Sequence, residues 1–293
     1  MSYILSCCST ADLSQSHFDT RNIKYICFHY LLDGKQYEDD LGKSMPLEKF
    51  YEAMKNGSQT KTSQINTDEF INYFRPMLEK NLDILHVSLS SGISGVYNSA
   101  CLARDELIKQ FPQRKIYIVD SLCASSGYGL LMDKLADLRD GGMDIQNLYD
   151  WTEKNKLNLN HWFFTGDLSF FVKGGRISKA AGWFGTALKI HPLLCMDNEG
   201  KLVPKYKFRG KKKVIEACLE QMKKLAQNGL DYNQKCYISN SNCYDDAKQL
   251  ADLIEENFKS LDGPVLINNI GTVIGSHTGP GTVALFFWGD GRN

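Results

Sequence analysis

The sequence predicts an α/β protein made of two α/β domains. Residues 1–160 are expected to form a mostly parallel, Rossmann-like sheet with helices on both faces, because apolar strand-like runs alternate there with helix-length segments. The chain has 293 residues, more than one typical domain of about 100–200 residues needs. Two domains are therefore the default expectation.

The second domain, residues 161–293, is expected to hold a mixed sheet with helices, and a ligand channel is expected between the domains. Four residues (197–200) join two apolar runs there, and so short a connection indicates an antiparallel hairpin. The predicted strands are 162–165, 190–196, 201–208, 235–240, 264–269 and 283–288. The predicted helices are 178–188, 211–227 and 244–258.

In the first domain, each predicted strand is a short run of apolar residues that ends at turn or cap residues. The first run stops at Ser9 and Thr10, which favour the start of a helix. The predicted strands are 3–8, 23–32, 84–89 and 115–119. The predicted helices are 11–17, 46–54, 67–80, 94–110, 123–139 and 145–156. The polar segment 59–64 is predicted to be a loop.

Composition argues against several classes of protein. The 34 basic residues balance 34 acidic ones, whereas a general nucleic-acid or membrane-surface binder usually has a basic excess. The nine cysteines include no C-x-x-C pair, so we expect reduced, mostly buried thiols. The first residues lack the pattern of a signal peptide, and no apolar run approaches the roughly 20 residues that span a bilayer. These observations predict a cytoplasmic protein with no integral membrane segment.

Hydroxyl side chains follow several of the predicted strands, where open α/β sheets bind their ligands. They are Ser9, Thr10, Ser90, Ser91, Ser94 and Ser121. Ser94 also falls at the predicted start of a helix, whose free N–H groups favour an anion. Each hydroxyl alone is as well explained as a helix cap, but their repetition predicts a shared anion site. In the loop 59–64, Thr62 or Ser63 is placed to bond a ligand oxygen or to satisfy its own loop.

Other motifs give one further candidate residue and no cofactor. His277 lies in a predicted loop with two glycines, which let the backbone approach a ligand closely. The six histidines show no metal-binding spacing, and the P-loop, dinucleotide and nucleophile-elbow patterns are not present. A basic cluster over residues 205–213 is either a solvated face or a docking surface for an acidic partner or a phosphate.

Five segments in a fixed order resemble the DegV family, the bacterial fatty-acid-binding proteins also called FakB. They are Thr62-Ser63-Gln64, Ser90-Ser91-Gly92-Ile93-Ser94-Gly95, Val119-Asp120-Ser121, Lys173-Gly174-Gly175-Arg176-Ile177-Ser178 and His277-Thr278-Gly279-Pro280-Gly281-Thr282. The similarity runs along nearly the whole chain. Two positions depart from the usual pattern: Ile65 stands where the family usually has Pro, and Val96 where it usually has Thr.

The resemblance implies a non-catalytic carrier that binds one long-chain fatty acid, such as palmitate, stearate or oleate, and presents it to a separate fatty-acid kinase. Thr62 and Ser94 would bond the carboxylate, with His277 close to it and Arg209 serving the encounter with the kinase or the phosphoryl group. Ser63, Ser121 and Arg176 are further ligand-binding candidates. Phe28, Phe164, Phe170, Phe171 and Ile190 are candidates for the channel wall. No cofactor is expected beyond the bound fatty acid.

Two other functions compete with the carrier. The first is a small-acid hydrolase or acyl transferase with Ser94 as nucleophile and His277 as base. The second is a regulatory or interaction module that binds its partner equally well with and without lipid.

Overall fold

The computed structural model describes residues 3–178 and 190–292. The first half contains seven strands and six α-helices in this described part: β1 (Tyr3–Cys8), α1 (Gln15–Thr20), β2 (Lys24–Ile26), β3 (His29–Leu32), β4 (Lys35–Glu38), α2 (Leu47–Lys55), β5 (Thr60–Ser63), α3 (Thr67–Glu79), β6 (Asp83–Ser88), α4 (Val96–Gln110), β7 (Ile116–Asp120), α5 (Ser125–Asp140) and α6 (Ile145–Asn155). The second half continues with β8 (Leu159–Phe164), α7 (Ser169–Lys173), β9 (Ile190–Met196), β10 (Leu202–Arg209), α8 (Lys211–Leu225), β11 (Tyr237–Asn240), α9 (Tyr244–Asn257), β12 (Leu266–Asn269), α10 (Thr272–Thr278) and β13 (Val283–Trp288).

The first sheet is fully parallel, with strand order β2-β1-β6-β7. Its strands β1 and β6 are almost continuously buried, as expected for a parallel sheet covered by helices. Helices α3 and α4 pack together over β6, while α6 packs on β6 and β7 and α5 on β1. Helix α3 begins at a reciprocal capping box between Asn66 and Glu69. The predicted parallel sheet of the first half is confirmed.

The second sheet has six strands in the order β10-β9-β8-β13-β11-β12. All its pairings are antiparallel except that of β11 with β12, so the predicted mixed sheet is confirmed. Its first strand begins at Leu159, and a domain boundary near residue 160 stays a prediction. None of the described helices is long and apolar enough to cross a membrane.

Helix α5 is the layer between the parallel sheet and the mixed sheet. It contacts β1 on one side and β8, β11 and β13 on the other, and most of its residues are buried. Two glycines make this close packing possible: a Cβ on Gly127 would meet His161 and Phe286, and one on Gly129 would lie 2.6 Å from the Ala11 carbonyl oxygen. The Gly127-Tyr128-Gly129 sequence therefore serves helix packing.

Several predicted elements are wrong in detail. The run 23–32 divides at Cys27 and Phe28 into β2, which belongs to the parallel sheet, and β3, which is the middle strand of a third, antiparallel sheet of order β4-β3-β5. The expected loop 59–64 contains strand β5, and the expected helix 11–17 is replaced by a 3-10 turn at residues 9–11 followed by α1. Strand β5 is polar and carries no apolar alternation; it forms because β3 offers it a ladder, with Tyr30 opposite Thr62.

The predicted loop around His277 is also wrong, because His277 lies in helix α10. This helix packs against α2, β3 and β5 of the first half and against α7. The helix predicted at 178–188 falls almost wholly outside the described residues.

Candidate functional site

A cavity of about 430 Å³ lies between the first sheet and the mixed sheet. Its volume is within the range of about 300–1,000 Å³ usual for small-molecule sites. We call it the main cavity. The described residues that line it are Phe28, Thr62, Ser63, Gln64, Leu89, Ile93, Ser94, Gly95, Ala124, Ser125, His161, Phe163, Phe171, Arg176, Met196, Leu202, Ile270, Val273, Ile274, His277, Thr278, Thr282, Ala284 and Phe286. Most of these side chains are apolar, so the cavity suits an apolar ligand.

A second, polar depression of about 670 Å³ adjoins the main cavity. We call it the outer depression. The two share Thr62, Arg176 and His277, and Lys61 and Lys173 are among the residues that line only the outer one. No Asp or Glu among the described residues lines either space. A group held at the shared residues would therefore have an apolar space on one side and a cationic, polar one on the other.

Thr62 and His277 are brought into contact from positions 215 residues apart. Thr62 is on β5 and His277 is near the end of α10, and their Oγ1 and Nε2 atoms are 2.8 Å apart. Burial, together with the nearby charge of Arg176, lowers the pKa of His277 to about 4. The imidazole is therefore neutral at physiological pH.

The position of the single imidazole proton of His277 decides whether the hydroxyl hydrogen of Thr62 is free to bond a ligand. The Nδ1 atom of His277 is buried and has no hydrogen-bond partner among the described residues; it lies against Gly174, where a Cβ would collide with it. A proton on Nδ1 would be an unsatisfied buried donor. We therefore assign the proton to Nε2, which donates to Thr62 and leaves the Thr62 hydroxyl hydrogen free for a ligand.

Arg176 reaches the same place from the turn after α7. Its Nε donates to the carbonyl oxygen of Ile93 at 3.1 Å, and its Nη1 to that of Gly174 at 2.5 Å. Burial lowers the pKa of its guanidinium, and no described carboxylate forms an ion pair with it. The guanidinium is thus a half-buried cation held by neutral groups, which suits an anionic ligand.

Ser94 lies in the loop before α4, where its Oγ accepts a hydrogen bond from the backbone N–H of Val96 at 3.3 Å. The hairpin between β9 and β10 supports this loop: Ser90 Oγ donates to the carbonyl oxygen of Gly200 at 2.8 Å. A Cβ on Gly92 would lie 2.5 Å from the same oxygen, so only glycine permits this approach. Val96 itself is fully buried and, like Ile65, does not line the main cavity.

The structure does not bring the strand-end hydroxyls together as a shared anion site. Of that set only Ser94 lines the main cavity. Ser9 donates to Asp39, Ser90 to Gly200, and Ser121 to the Cys123 carbonyl oxygen of its own turn. These hydroxyls bond other groups of the protein, and Ser121 does not line the main cavity.

The remaining candidate residues are divided. Ser63 lines the main cavity, whereas Arg209 is exposed at the end of β10 and lines neither space. Among the predicted wall residues, Phe28 and Phe171 line the main cavity, Phe170 lines only the outer depression, and Phe164 and Ile190 line neither.

The mixed sheet supplies wall residues that the sequence analysis did not name. Phe163 and Ala284 are opposite each other, as are His161 and Phe286, and all four face the main cavity. Alternation along β8 and β13 is the signal that selects Phe163 over Phe164. This alternation can be used only when it is known which face of the mixed sheet the first half of the chain covers.

Among the described residues, Ser94 and His277 do not form the predicted pair of nucleophile and base. His277 Nε2 is bonded to Thr62, no described residue bonds its Nδ1, and Ser94 Oγ accepts from Val96. A catalytic triad needs the serine hydroxyl bonded to the imidazole and a third group orienting the base.

The sequence model of the DegV family, described as an uncharacterised protein family, matches residues 8–290. This chain belongs to the DegV family. It is 36% identical over 282 residues to a DegV domain-containing protein of Clostridium perfringens, covering 96% of each chain. A fatty acid-binding protein of Thermotoga maritima is 32% identical over 282 residues, covering 94% of this chain and 93% of the relative.

A solved structure with the same fold is the Fatty Acid Kinase (Fak) B3 protein of Streptococcus pneumoniae, loaded with linoleic acid. It is 22% identical, covers 99% of this DegV chain and 100% of its own, and has a TM-score of 0.84. The resemblance to the DegV family identified from the motifs is confirmed, and this structure shows the same fold.

Proposed function

We propose that this DegV protein is a non-catalytic carrier that binds one long-chain fatty acid and presents its carboxylate to a separate fatty-acid kinase. The observation that supports this most is the junction at Thr62, Arg176 and His277. Apolar walls lie on one side of it, a cationic depression lies on the other, and no described carboxylate lines either space. An amphiphilic anion is the ligand that satisfies both sides.

The main cavity would hold the acyl chain. Burying about 14 methylenes at roughly 0.8 kcal/mol each contributes on the order of 11 kcal/mol gross. The costs of immobilising the ligand reduce this gain, yet enough remains for tight binding. Phe163, Phe171 and Phe286 would provide much of the contact surface for the chain.

Thr62, Ser94, Arg176 and His277 would hold the carboxylate, and we call them the head site. A buried carboxylate without partners is costly. The Thr62 hydroxyl would donate one hydrogen bond, Ser94 would rotate to donate another, and the Arg176 charge would neutralise the anion. Because Arg176 also borders the outer depression, one carboxylate oxygen would stay accessible there for phosphorylation.

Presentation to a kinase would leave the phosphoryl chemistry to that partner, so the head site would only have to hold the carboxylate. The kinase would reach the carboxylate through the outer depression and transfer a phosphoryl group to give an acyl phosphate. Arg209, exposed on β10, would contact the kinase or the phosphoryl group. The proposal includes a cytoplasmic location, since a kinase that uses ATP works there.

Lipid binding is tested by extracting the purified protein with organic solvent and identifying fatty acids by mass spectrometry, followed by titration of the delipidated protein with oleate. We expect one fatty acid per chain. Thr62→Val should weaken oleate binding about tenfold, because it removes a hydrogen bond to a charged group worth about 1.5 kcal/mol. Thr60→Val is the matched control, since Thr60 is on the same strand but lines only the outer depression. Failure to bind oleate, with no extracted lipid, would rule out the carrier.

Presentation is tested by incubating oleate-loaded protein with ATP and a bacterial fatty-acid kinase and measuring acyl phosphate. Arg209→Ala should retain oleate affinity and lose transfer. Equal loss of binding in Arg209→Ala and Thr62→Val would contradict that division. Turnover of an ester or acyl phosphate without the kinase, lost in Ser94→Ala, would favour the hydrolase instead.

A further inference from the structure

Helix α10 comes late in the sequence, yet side chains of the first half hold its N-terminus. The backbone N–H of Gly271 donates to Asp12 Oδ1 at 3.0 Å. The backbone N–H and the hydroxyl of Thr272 donate to Asp39 Oδ1 at 3.1 and 2.7 Å. Asp12 and Asp39 are 4% and 1% exposed, so two buried carboxylates cap the same short helix.

These carboxylates have no cationic partner among the described residues. Their other oxygens accept from hydroxyls instead: Asp12 Oδ2 from Ser125 at 2.5 Å and Asp39 Oδ2 from Ser9 at 2.8 Å. Burial, and for Asp12 also the neighbouring Asp39, raise the pKa of both carboxyls. Two carboxylates buried without a counter-ion are an expensive way to stabilise a fold. We therefore infer that the role of Asp12 and Asp39 lies in where they place α10, and not in stabilising the fold.

That geometry holds the end of α10 that lies opposite His277. His277 follows Thr272 by five residues, or about 7.5 Å along a helix, so a displacement of the capped end is transmitted to the imidazole. Tyr51 adds a third contact, donating to the carbonyl oxygen of Ile270 at 2.8 Å. A Cβ on Gly271 would lie 2.7 Å from Asp12 Oδ1, so the capped end has little room to move.

We propose that Asp39, together with Asp12, is a positioning residue for the head site. The pair sets the height and rotation of α10 so that His277 Nε2 meets Thr62 Oγ1. The Thr62 hydroxyl hydrogen is then left for the fatty-acid carboxylate. The consequence for lipid binding rests on the proposed function, whereas the Thr62–His277 contact is measurable in the lipid-free protein.

Asp39→Asn tests the positioning role, because it keeps the size of the side chain and replaces one accepting oxygen with a donor. Oleate affinity should fall about fivefold or more, the size of a typical coupling between sites. In lipid-free protein, the ¹⁵N chemical shifts of the His277 ring should move away from those of an Nε2–H imidazole bonded to a hydroxyl. In a His277→Ala background, Asp39→Asn should cause no further loss of affinity, since the two residues act through one contact.

Asp133→Asn is the matched control. Asp133 is equally buried, at 2% exposed, and also joins the two halves, but its partners are His17, Arg21 and Lys235. The Asp133→Asn variant should lower the midpoint of urea unfolding while leaving oleate affinity and the His277 signals unchanged. Thr272→Val is a milder variant that replaces Asp39→Asn if the latter does not fold. It removes the hydroxyl that donates to Asp39, and it should lower oleate affinity and shift the His277 signals in the direction expected for Asp39→Asn.

The outcomes separate the two proposals. Wild-type protein that binds no fatty acid overturns the carrier function, while the His277 spectra still decide the positioning role. Unchanged His277 signals in folded Asp39→Asn, or in Thr272→Val if that variant replaces it, would overturn the positioning role. Additive losses with His277→Ala, or equal affinity losses in Asp39→Asn and Asp133→Asn, would do the same.

Discussion

Two polar clusters lie where the halves of the chain meet, and they differ in whether their charges are matched. In the first, Asp133 lies 3.0 Å from His17 Nε2, 3.3 Å from Arg21 Nε and 2.6 Å from Lys235 Nζ. In the second, the head site, Arg176 and His277 have no carboxylate partner among the described residues.

The pKa shifts of the two clusters express this difference. Burial alone would raise the pKa of Asp133, but hydrogen bonds and charge from His17 and Lys235 bring it below its usual range. At the head site, burial lowers the pKa of both Arg176 and His277, and no acid in the described part of the chain offsets this. The cluster around Asp133 has basic and acidic partners and needs no ligand to balance its charge. The cluster around Arg176 carries an unbalanced positive charge and is suited to bind an anion.

The largest expected effect is on stability, at the matched cluster. Asp133→Ala would leave its basic partners without their shared carboxylate and should lower the free energy of unfolding by about 3 kcal/mol, measured by urea denaturation. The control is Asp137→Ala, at an exposed carboxylate of the same cluster 3.1 Å from Lys235 Nζ, which should cost about 1 kcal/mol or less. Oleate affinity should be the same in both variants, and a large affinity loss in Asp133→Ala would break the comparison.

At the unmatched cluster the effect should be on binding. Arg176→Met keeps an unbranched side chain and removes the cation, so oleate affinity should fall at least tenfold, by about 1.5–3 kcal/mol. Stability should change by only about 1 kcal/mol, because the partners of the guanidinium among the described residues are neutral carbonyl groups. Lys173→Met is the control, since Lys173 lines only the outer depression. Isothermal titration calorimetry and urea denaturation check both quantities, and equal affinity losses would contradict a specific role for Arg176.

A smaller effect is expected from restoring the usual family residue at position 96. Val96 is fully buried and does not line the main cavity, so Val96→Thr would bury a hydroxyl at a cost of about 1 kcal/mol. Oleate affinity should stay within about twofold, or roughly 0.4 kcal/mol. Binding that tightens well beyond this would assign residue 96 to the head site.

The smallest expected effect is a change in a titration midpoint. In lipid-free protein, NMR should place the pKa of His277 at about 4. Bound oleate should raise it, because a nearby carboxylate favours the imidazolium. By linkage, oleate affinity then increases as the pH falls from the bound pKa towards the free one. His86, whose pKa burial lowers to about 3 and which does not line the main cavity, should not respond to oleate.

The sequence predicted much of the fold because its signals are local. Apolar runs with turn residues placed the parallel strands, and the short 197–200 connection indicated the hairpin of the mixed sheet. Strand β5 could not be predicted in this way, since its Thr-Lys-Thr-Ser sequence resembles a polar loop and its ladder depends on β3.

Candidate residues could be predicted where a sequence motif contains them. They could not be predicted where their position in the cavity depends on tertiary packing. Thr62, Ser94, Arg176 and His277 were all identified as candidates from short segments, and the structure brings them to one cavity. Ser121 looked equivalent to Ser94 at the end of a strand, but its hydroxyl bonds its own turn. Phe163 and Phe164 are adjacent phenylalanines, and only the side of the sheet that faces the first half distinguishes them.

The sequence by itself therefore determined the α/β class and the parallel and mixed sheets, since backbone propensity and hydrophobic pattern act over a few neighbours, whereas the roles of the head-site candidates came from the family resemblance. Only the tertiary structure decided that Thr62 meets His277 across 215 residues and that two buried carboxylates cap the helix that bears His277. Contacts between distant segments depend on how helices and sheets pack, and no local pattern encodes the distance between two side chains.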